Sequence, residues 1–288
     1  MSSDFLRNPF EPPYRSNKGT PSELTRHLLP SADAQALTEA LGEEESSESE
    51  PQQDLPPADI SMSGKEQKEV EKESYWTREQ YIEWAESFER DKNWVDKTFE
   101  FQEDGTTIVE RNLNLEKTGI VCLPIGLMKV KGNLHISKNF SFKLNGYPKK
   151  VSGYFDCTYN DLSSLEGMPE EVGRGIYLLD NKIRSLIGLP EKVMGNLVLD
   201  TNKLENLDGI SKEISGKLEL DDNNQLTSLE ALKGVKIGQD LWLRGIPATT
   251  IPAGIEIGGD ICLDASQTDL IADAKRKGYR VEIISKWI

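Results

Sequence analysis

The eleven residues "LVLDTNKLENL", Leu197–Leu207, combine four leucines with two asparagines. The alternation of Leu197, Val198 and Leu199 is typical of a short strand with one buried face. Asn202 follows where such a strand must end, inside the apolar run. One copy of this segment fits a buried strand and a turn, but it leaves the position of the amide unexplained.

The same arrangement recurs every 21 residues along the chain. Asn202 has counterparts at Asn139, Asn160, Asn181 and Asn223. Further columns keep the same step: Leu113, Leu134, Phe155, Ile176, Leu197 and Leu218; Leu144, Leu165, Leu186 and Leu207; Pro148, Pro169 and Pro190; Val130, Val151, Val172, Val193 and Ile214. Two later units lose the asparagine but keep the apolar pairs Leu241/Leu243 and Ile261/Leu263. A fixed period of this length predicts a solenoid with one unit per turn.

The repeat xxLxLxxNxLxxL, over roughly residues 112 to 271, resembles the leucine-rich repeat family. "LPEKV" (189–193) and "MPEEV" (168–172) are similar to short bacterial repeats that carry LP in the return limb. The resemblance implies an α/β-type repeat solenoid with one parallel β-sheet and mostly irregular return limbs. It also implies that the asparagines lie in buried turns, where each amide serves its own turn and the adjacent one.

Caps are predicted at both ends of the repeats, which occupy residues 112–266. Residues 76–111 form the N-terminal cap, with one helix over about 78–97 and a hairpin that turns at Asp104-Gly105. Residues 267–288 form the C-terminal cap, with a helix over about 268–277 and a final strand.

Residues 1–75 differ in composition from the rest of the chain. They hold most of the prolines and a large excess of acidic residues, with few large apolar side chains. Such a segment cannot bury enough surface to offset its ordering entropy, so we expect a disordered tail. A transient helix is expected at Ser31–Gly42.

The charge balance argues against nucleic acid as a partner. The chain carries 34 Lys and Arg against 49 Asp and Glu, a formal net charge of −15. Phosphate binding requires a basic face, whereas this balance favours, if anything, a basic partner surface.

Cysteine and histidine usage predicts neither disulfides nor cofactors. Cys122, Cys157 and Cys262 are odd in number and lack CxxC spacing, which favours a reducing compartment. His27 and His135 belong to no metal-ligand motif, so no metal site is expected.

The N-terminus, "MSSDFLRNPFEPPYRSNKG", lacks the basic and apolar regions of a signal peptide. No apolar run reaches the roughly 20 residues that span a bilayer. We therefore expect a cytoplasmic protein without a membrane partner. The alternative is a secreted bacterial effector whose first ~30 residues are an uncleaved export signal.

The outward positions of the predicted strands are the candidate binding surface. One outward position per strand gives His135, Asp156, Tyr177, Val198, Glu219, Trp242 and Cys262. The residues that come before these positions are Tyr154, Lys217, Asp240 and Asp260. The residues that come after them are Asp200, Asp221, Arg244 and Asp264. Aromatic side chains beside carboxylates suit a basic, partly apolar protein surface. The predicted contact residues are Tyr154, Asp156, Tyr177, Asp200, Glu219, Asp221, Trp242, Arg244 and Asp264.

Catalysis is not expected from this pattern. Asp200, Asp221 and Asp222 could hold Ca²⁺, but the repeat strands rarely supply the 6–8 oxygens that this ion takes. Paired acids for glycoside cleavage are available, but a flat repeat surface implies no pocket. Cys262 has no histidine in its column to activate it.

The resemblance extends to effector ubiquitin ligases, which join such repeats to a large catalytic domain. This chain ends about 17 residues after its last repeat, so we expect no such domain. The sequence favours a non-catalytic repeat protein that binds a protein or peptide. A structural or assembly role is a further alternative, and the oligomeric state is left open.

Overall fold

The computed structural model describes residues 75–284, which wind into a solenoid of parallel-strand coils with a cap at each end. The predicted acidic tail up to residue 74, the helix at Ser31–Gly42, the proposed export signal and the last four residues lie outside the described residues. No helix within residues 75–284 is long and apolar enough to cross a bilayer.

The long sheet contains nine parallel strands, one from each coil and one from the C-terminal cap. Leu197 pairs with Ile176 on one side and Leu218 on the other, so equivalent positions of successive coils lie side by side. The strands are β3 (Leu113–Asn114), β5 (Leu134–His135), β7 (Phe155–Asp156), β9 (Ile176–Tyr177), β11 (Leu197–Val198), β13 (Leu218–Glu219), β15 (Leu241–Trp242), β17 (Ile261–Asp264) and β18 (Val281–Ile284). The 21-residue solenoid predicted from the sequence is confirmed.

The return limbs also form strands, which the sequence pattern does not predict. The hairpin strands β1 (Glu100–Phe101) and β2 (Thr107–Val109) continue into β4 (Leu127–Val130), β6 (Lys150–Val151) and β8 (Glu171–Val172). A separate sheet contains β10 (Lys192–Val193), β12 (Glu213–Ile214), β14 (Lys236–Ile237) and β16 (Glu256–Ile257). Instead of one sheet with irregular limbs, the solenoid has short parallel strands on its second side as well.

These return-limb strands are stabilised on both faces. The inward residues, such as Val193 and Ile214, are buried in the core. In the sheet of β10, β12, β14 and β16 the outward residues alternate in charge from coil to coil, and Lys192 Nζ lies 2.9 Å from Glu213 Oε2. Such cross-strand pairs support the pairing although most of these strands are only two residues long.

The asparagines form the predicted ladder of amides. Asn202 Nδ2 donates to the carbonyl oxygens of Leu178 (2.9 Å) and Leu199 (3.0 Å), and its Oδ1 accepts from Ile183 N (3.0 Å). Asn181 and Asn223 repeat these bonds in their own coils. Each amide thus satisfies backbone groups of two successive coils, and all of them are buried.

The N-terminal cap contains two helices where the periodicity predicts one over 78–97. Helix α1 spans Arg78–Glu86 and helix α2 spans Lys92–Thr98. Thr77 and Gln80 form the predicted capping box of α1. The helix stops because Glu89 adopts a left-handed φ of 64° and Asp91 starts a new helix, accepting a hydrogen bond from Trp94 N at 2.9 Å. The predicted Asp104-Gly105 hairpin is confirmed between β1 and β2.

The C-terminal cap agrees with its prediction. Helix α3 spans Thr268–Arg276, and Gly278 (φ 84°) leads into β18. Gln267 takes over the function of the lost asparagine: its Nε2 donates to Leu243 O (2.9 Å) and Ile246 O (3.1 Å). The buried Asp273 ties α3 to the last coil, since its Oδ2 accepts from Ile251 N at 2.8 Å.

Candidate functional site

The outward side chains of the long sheet form one continuous row across the solenoid, which we call the strand face. Register places Asp156 beside Tyr177, Tyr177 beside Val198 and Val198 beside Glu219. Trp242 follows Glu219 in the next coil. The structure therefore brings together the central row of side chains that the sequence predicts to point outward.

Two tyrosines form the first aromatic group on this face. The ring centroids of Tyr154 and Tyr177 lie 5.7 Å apart, and the Arg174 guanidinium lies 5.5 Å from the centre of the Tyr154 ring. Gly175 makes room for them, because an added Cβ would lie 3.1 Å from Tyr177 Cε2 and 3.3 Å from Tyr154 Cδ1. A glycine between the strands thus permits both rings to lie partly buried on the sheet.

The environment of Tyr177 keeps its hydroxyl protonated. Burial is the main cause that raises the pKa of Tyr177 to about 12, and the nearby Tyr154, Glu219 and Asp156 raise it further. A hydrogen bond from Asn196 acts in the opposite direction. Asn196 is absent from the predicted contact residues, although its 63-residue distance from Asn133, three repeats, is a signal that this column also carries side-chain amides.

Trp242 forms the second aromatic group and lies under two cations. Lys217 Nζ is 5.4 Å and Arg244 Cζ is 5.1 Å from the ring centre. Arg244 Nε donates to Asp221 Oδ2 at 2.8 Å, and its backbone N–H donates to Asp221 Oδ1 at 2.8 Å. Asp221 therefore fixes Arg244 against the indole ring.

Four side chains predicted to be outward are buried in the structure: Val198, Asp221, Cys262 and Asp264. Asp221 is only 2% exposed because Arg244 covers it, and Asp264 is 6% exposed. Cys262 is fully buried because β18 adds Glu282 beside it. Burial is also the main cause that raises the pKa of the Cys262 thiol to about 12, so the reactive thiolate is disfavoured.

Asp200 lies beside the centre of the face, partly buried and close to Asp221, Glu219 and Arg244. Its Oδ1 accepts from Asp221 N at 2.9 Å. Burial, followed by the charges of Asp221 and Glu219, raises the pKa of Asp200 to about 8, whereas Arg244 acts to lower it. The protonated form of the Asp200 carboxyl group is thus favoured relative to that of an ordinary aspartate.

Asp156 lies next to Tyr177 on the strand face, in the preceding coil. Its Oδ2 lies 3.4 Å from His135 Nδ1, and its Oδ1 accepts from the hydroxyl of Thr158 at 2.9 Å. The predicted contact residues therefore divide into partly exposed side chains and the two buried aspartates, Asp221 and Asp264. The partly exposed ones are Tyr154, Asp156, Tyr177, Asp200, Glu219, Trp242 and Arg244.

The described part of the chain contains no group of three or more His, Cys, Asp or Glu side chains placed to hold a metal ion. The acidic residues considered for Ca²⁺ diverge: Asp221 binds Arg244, and Asp222 is exposed with a left-handed φ of 58°. Comparison of the chain with protein-family profiles, curated proteins and solved structures found no match.

Proposed function

We propose that this chain is a leucine-rich repeat protein that binds a protein or peptide partner on its strand face. The observation that supports this proposal is the pair of aromatic groups, Tyr154/Tyr177 and Trp242, held half-buried on a rigid parallel sheet. Aromatic and arginine side chains in such positions are typical of the energetically dominant residues of protein interfaces. The five buried asparagines at 21-residue spacing support the family assignment.

Binding without catalysis suits the chemistry of this face. Its one cysteine, Cys262, is buried, and its one histidine, His135, lies against Asp156 rather than against a nucleophile. The side chains that remain accessible are aromatic rings, carboxylates and cations, which are suited to contact with the surface of a protein partner. We propose a cytoplasmic location for this function, because the cysteines are odd in number and scattered, which favours a reducing compartment.

Two matched variants of the full chain test the proposal. In the first, Tyr177→Ala, Glu219→Lys and Trp242→Ala remove the aromatic groups and reverse one charge on the strand face. In the second, Phe140→Ala and Ile187→Ala truncate side chains that are 66% and 70% exposed but lie outside this face. We leave Asp221 unchanged, because its bonds to Arg244 would confound binding with stability.

The first variant should lose partners that the wild-type chain captures from lysate, whereas the second should keep them. Thermal unfolding of both variants checks that the solenoid is intact. Retention of the same partners by the folded strand-face variant would overturn the proposal.

A further inference from the structure

The long sheet ends in a strand whose outer edge is unpaired. Within the described residues, β18 has β17 on one side and no strand on the other. Ile261 N donates to Arg280 O at 2.9 Å, so in this parallel ladder the backbone groups of Glu282 and Ile284 face β17. The N–H and C=O groups of Val281 and Ile283 therefore face away from the sheet, and no described residue bonds to them.

This edge has the length and the spacing that a further strand requires. β18 contains four residues, whereas β3, at the opposite end of the sheet, contains two. The outward groups of β18 repeat every second residue, a distance of about 6.7 Å along the strand. An extended backbone presents complementary donors and acceptors at the same spacing, which is the basis of peptide binding by strand addition.

The core side of the edge is apolar. Val281 and Ile283 are in register with Ile261 and Leu263, which are buried, so their side chains lie on the same side of the sheet. Ile283 is nevertheless 41% exposed, because no further coil follows β18 in the sheet. A strand added at this edge would cover it with the side chains that lie opposite Val281 and Ile283.

The other side of the edge carries one exposed carboxylate. Glu282 lies between the two apolar residues and points to the strand face, in register with Cys262. It forms no ion pair within the described residues, since the neighbouring cation Arg280 is held by Asp260, whose Oδ1 lies 2.9 Å from Arg280 Nε. A cation directly opposite Glu282 in an added strand would stabilise the pairing.

The same carboxylate disfavours a second copy of this chain as the added strand. An antiparallel pair of β18 strands that bonds all the outward groups places Val281 of each copy opposite Ile283 of the other. The two Glu282 side chains then lie directly opposite each other, and like charges in this position are destabilising. Charge complementarity therefore favours a strand of different sequence, with a basic residue at this place.

We propose that β18 binds an extended segment of a partner protein as an added antiparallel strand. The segment has the pattern apolar–basic–apolar: arginine or lysine lies opposite Glu282, and the two apolar side chains lie opposite Ile283 and Val281. Hydrogen bonds to the outward backbone groups hold the segment, and the side chains select it. This site is the edge of the long sheet and goes beyond the proposed function, which uses the strand face.

The test uses the full chain and capped peptides of about seven residues, which are long enough to cover the four residues of β18. They share the centre Val-X-Val between serines and threonines, and X is arginine or glutamate. Two further arginine peptides carry one N-methyl group, either on a flanking valine or on the arginine. Affinity is measured by calorimetry, and amide hydrogen exchange is followed by NMR.

Hydrogen exchange should identify the edge. In the free chain the amides of Val281 and Ile283 should exchange fast, and those of Glu282 and Ile284 slowly, because only the latter bond to β17. The arginine peptide should slow the first pair. N-methylation of the flanking valine should weaken binding by about tenfold, because this amide faces β18, whereas N-methylation of the arginine, whose amide faces away, should not.

Charge reversal should identify the partner's cation. The arginine peptide should bind about fivefold more tightly than the glutamate peptide. Glu282→Lys should reverse this preference, whereas the control Glu103→Lys, at an exposed position in the hairpin turn, should leave it unchanged. The variant Tyr177→Ala/Glu219→Lys/Trp242→Ala should bind the arginine peptide like the wild-type chain, so this inference and the proposed function can fail separately.

Three results would overturn the inference. The first is equal affinity of the two N-methylated peptides, or unchanged exchange at Val281 and Ile283 with saturating peptide, since the peptide would then not be an added strand. The second is an arginine preference that persists in Glu282→Lys. The third is slow exchange of both amides in the free chain that becomes fast on dilution, which would assign the edge to a second copy.

Discussion

Asn202 Nδ2 donates a 2.9 Å hydrogen bond to the carbonyl oxygen of Leu178, which lies 24 residues earlier in the chain and in the preceding coil. The same nitrogen donates to Leu199 O, and Oδ1 accepts from Ile183 N. One amide thus connects two coils at a point that water cannot reach.

Replacing this amide should therefore be costly. Asn202→Leu keeps a similar volume but leaves the buried Ile183 N–H without its partner. It also removes one of the two amide donors to each of Leu178 O and Leu199 O, which keep only Asn181 and Asn223. The free energy of unfolding should therefore fall by ~2–3 kcal/mol. Urea denaturation measures the loss.

Asn224→Leu is the control, because Asn224 is exposed one residue after a ladder asparagine. It should change stability by less than ~0.5 kcal/mol. Equal effects at the two positions would show that the amide bonds contribute nothing particular.

The 21-residue period predicts the long sheet, the inward and outward positions and the asparagine ladder. Each of these features arises from contacts between equivalent residues of successive coils. It does not predict the return-limb strands, most of which are only two residues long and show too little alternation. The break between Glu86 and Lys92 is also hidden, since Trp84, Phe88 and Val95 keep a helical spacing across it.

The candidate site is predictable only in part, for a related reason. Asp221 is buried by Arg244, and Cys262 is buried beside β18. Neither Arg244 nor β18 follows the 21-residue spacing, so the repeat pattern does not predict these contacts. Gln267 is missed because the spacing changes to 23 and then 20 residues, and because Gln267 lies one residue past Ser266, which occupies the asparagine column.

Backbone strain in front of the ladder gives a second prediction. The residue before each ladder asparagine is left-handed, and Thr201 has a φ of 55°. The equivalent residue in a later coil is Gly245, with a φ of 71°. A β-branched residue is unfavourable in this region, whereas glycine adopts it freely.

Thr201→Gly should therefore raise the free energy of unfolding by ~0.5–1 kcal/mol. The control Thr227→Gly, at an exposed position outside the left-handed set, should lower it instead. A loss of stability in Thr201→Gly as large as that in the control would contradict the strain argument. Thermal unfolding of both variants distinguishes these outcomes.

The raised pKa of Asp200 gives a pH prediction. The folded chain holds a proton on Asp200 up to about pH 8, whereas the unfolded chain releases it near pH 4, the ordinary range of an aspartate. The stabilising effect of this proton is complete below about pH 4 and is lost progressively as the pH rises to about 8.

Asp200→Asn removes this dependence, because asparagine is neutral at every pH and its amide oxygen can still accept from Asp221 N. Its stability relative to the wild-type chain should rise between pH 5 and pH 9 by more than about 1 kcal/mol. Urea denaturation across this range measures the difference, with Asp208→Asn as the exposed control. Parallel curves for wild type and Asp200→Asn would rule out a raised pKa.

Gly175 gives the last prediction, because its missing side chain makes the tyrosine pair possible. A Cβ at this position would lie 3.0 Å from Asn196 O and little further from the two rings. Gly175→Ala should therefore displace the rings and lower the free energy of unfolding by ~1–2 kcal/mol. Near-ultraviolet circular dichroism reports the change in ring packing.

The double variant Gly175→Ala/Tyr154→Ala separates steric conflict from a general effect on the strand. Removing the Tyr154 ring gives the new methyl group space, so the double variant should lose less stability than the sum of the two single variants. Strict additivity would mean that the methyl group does not meet the ring, and that the tyrosines do not depend on the glycine between them.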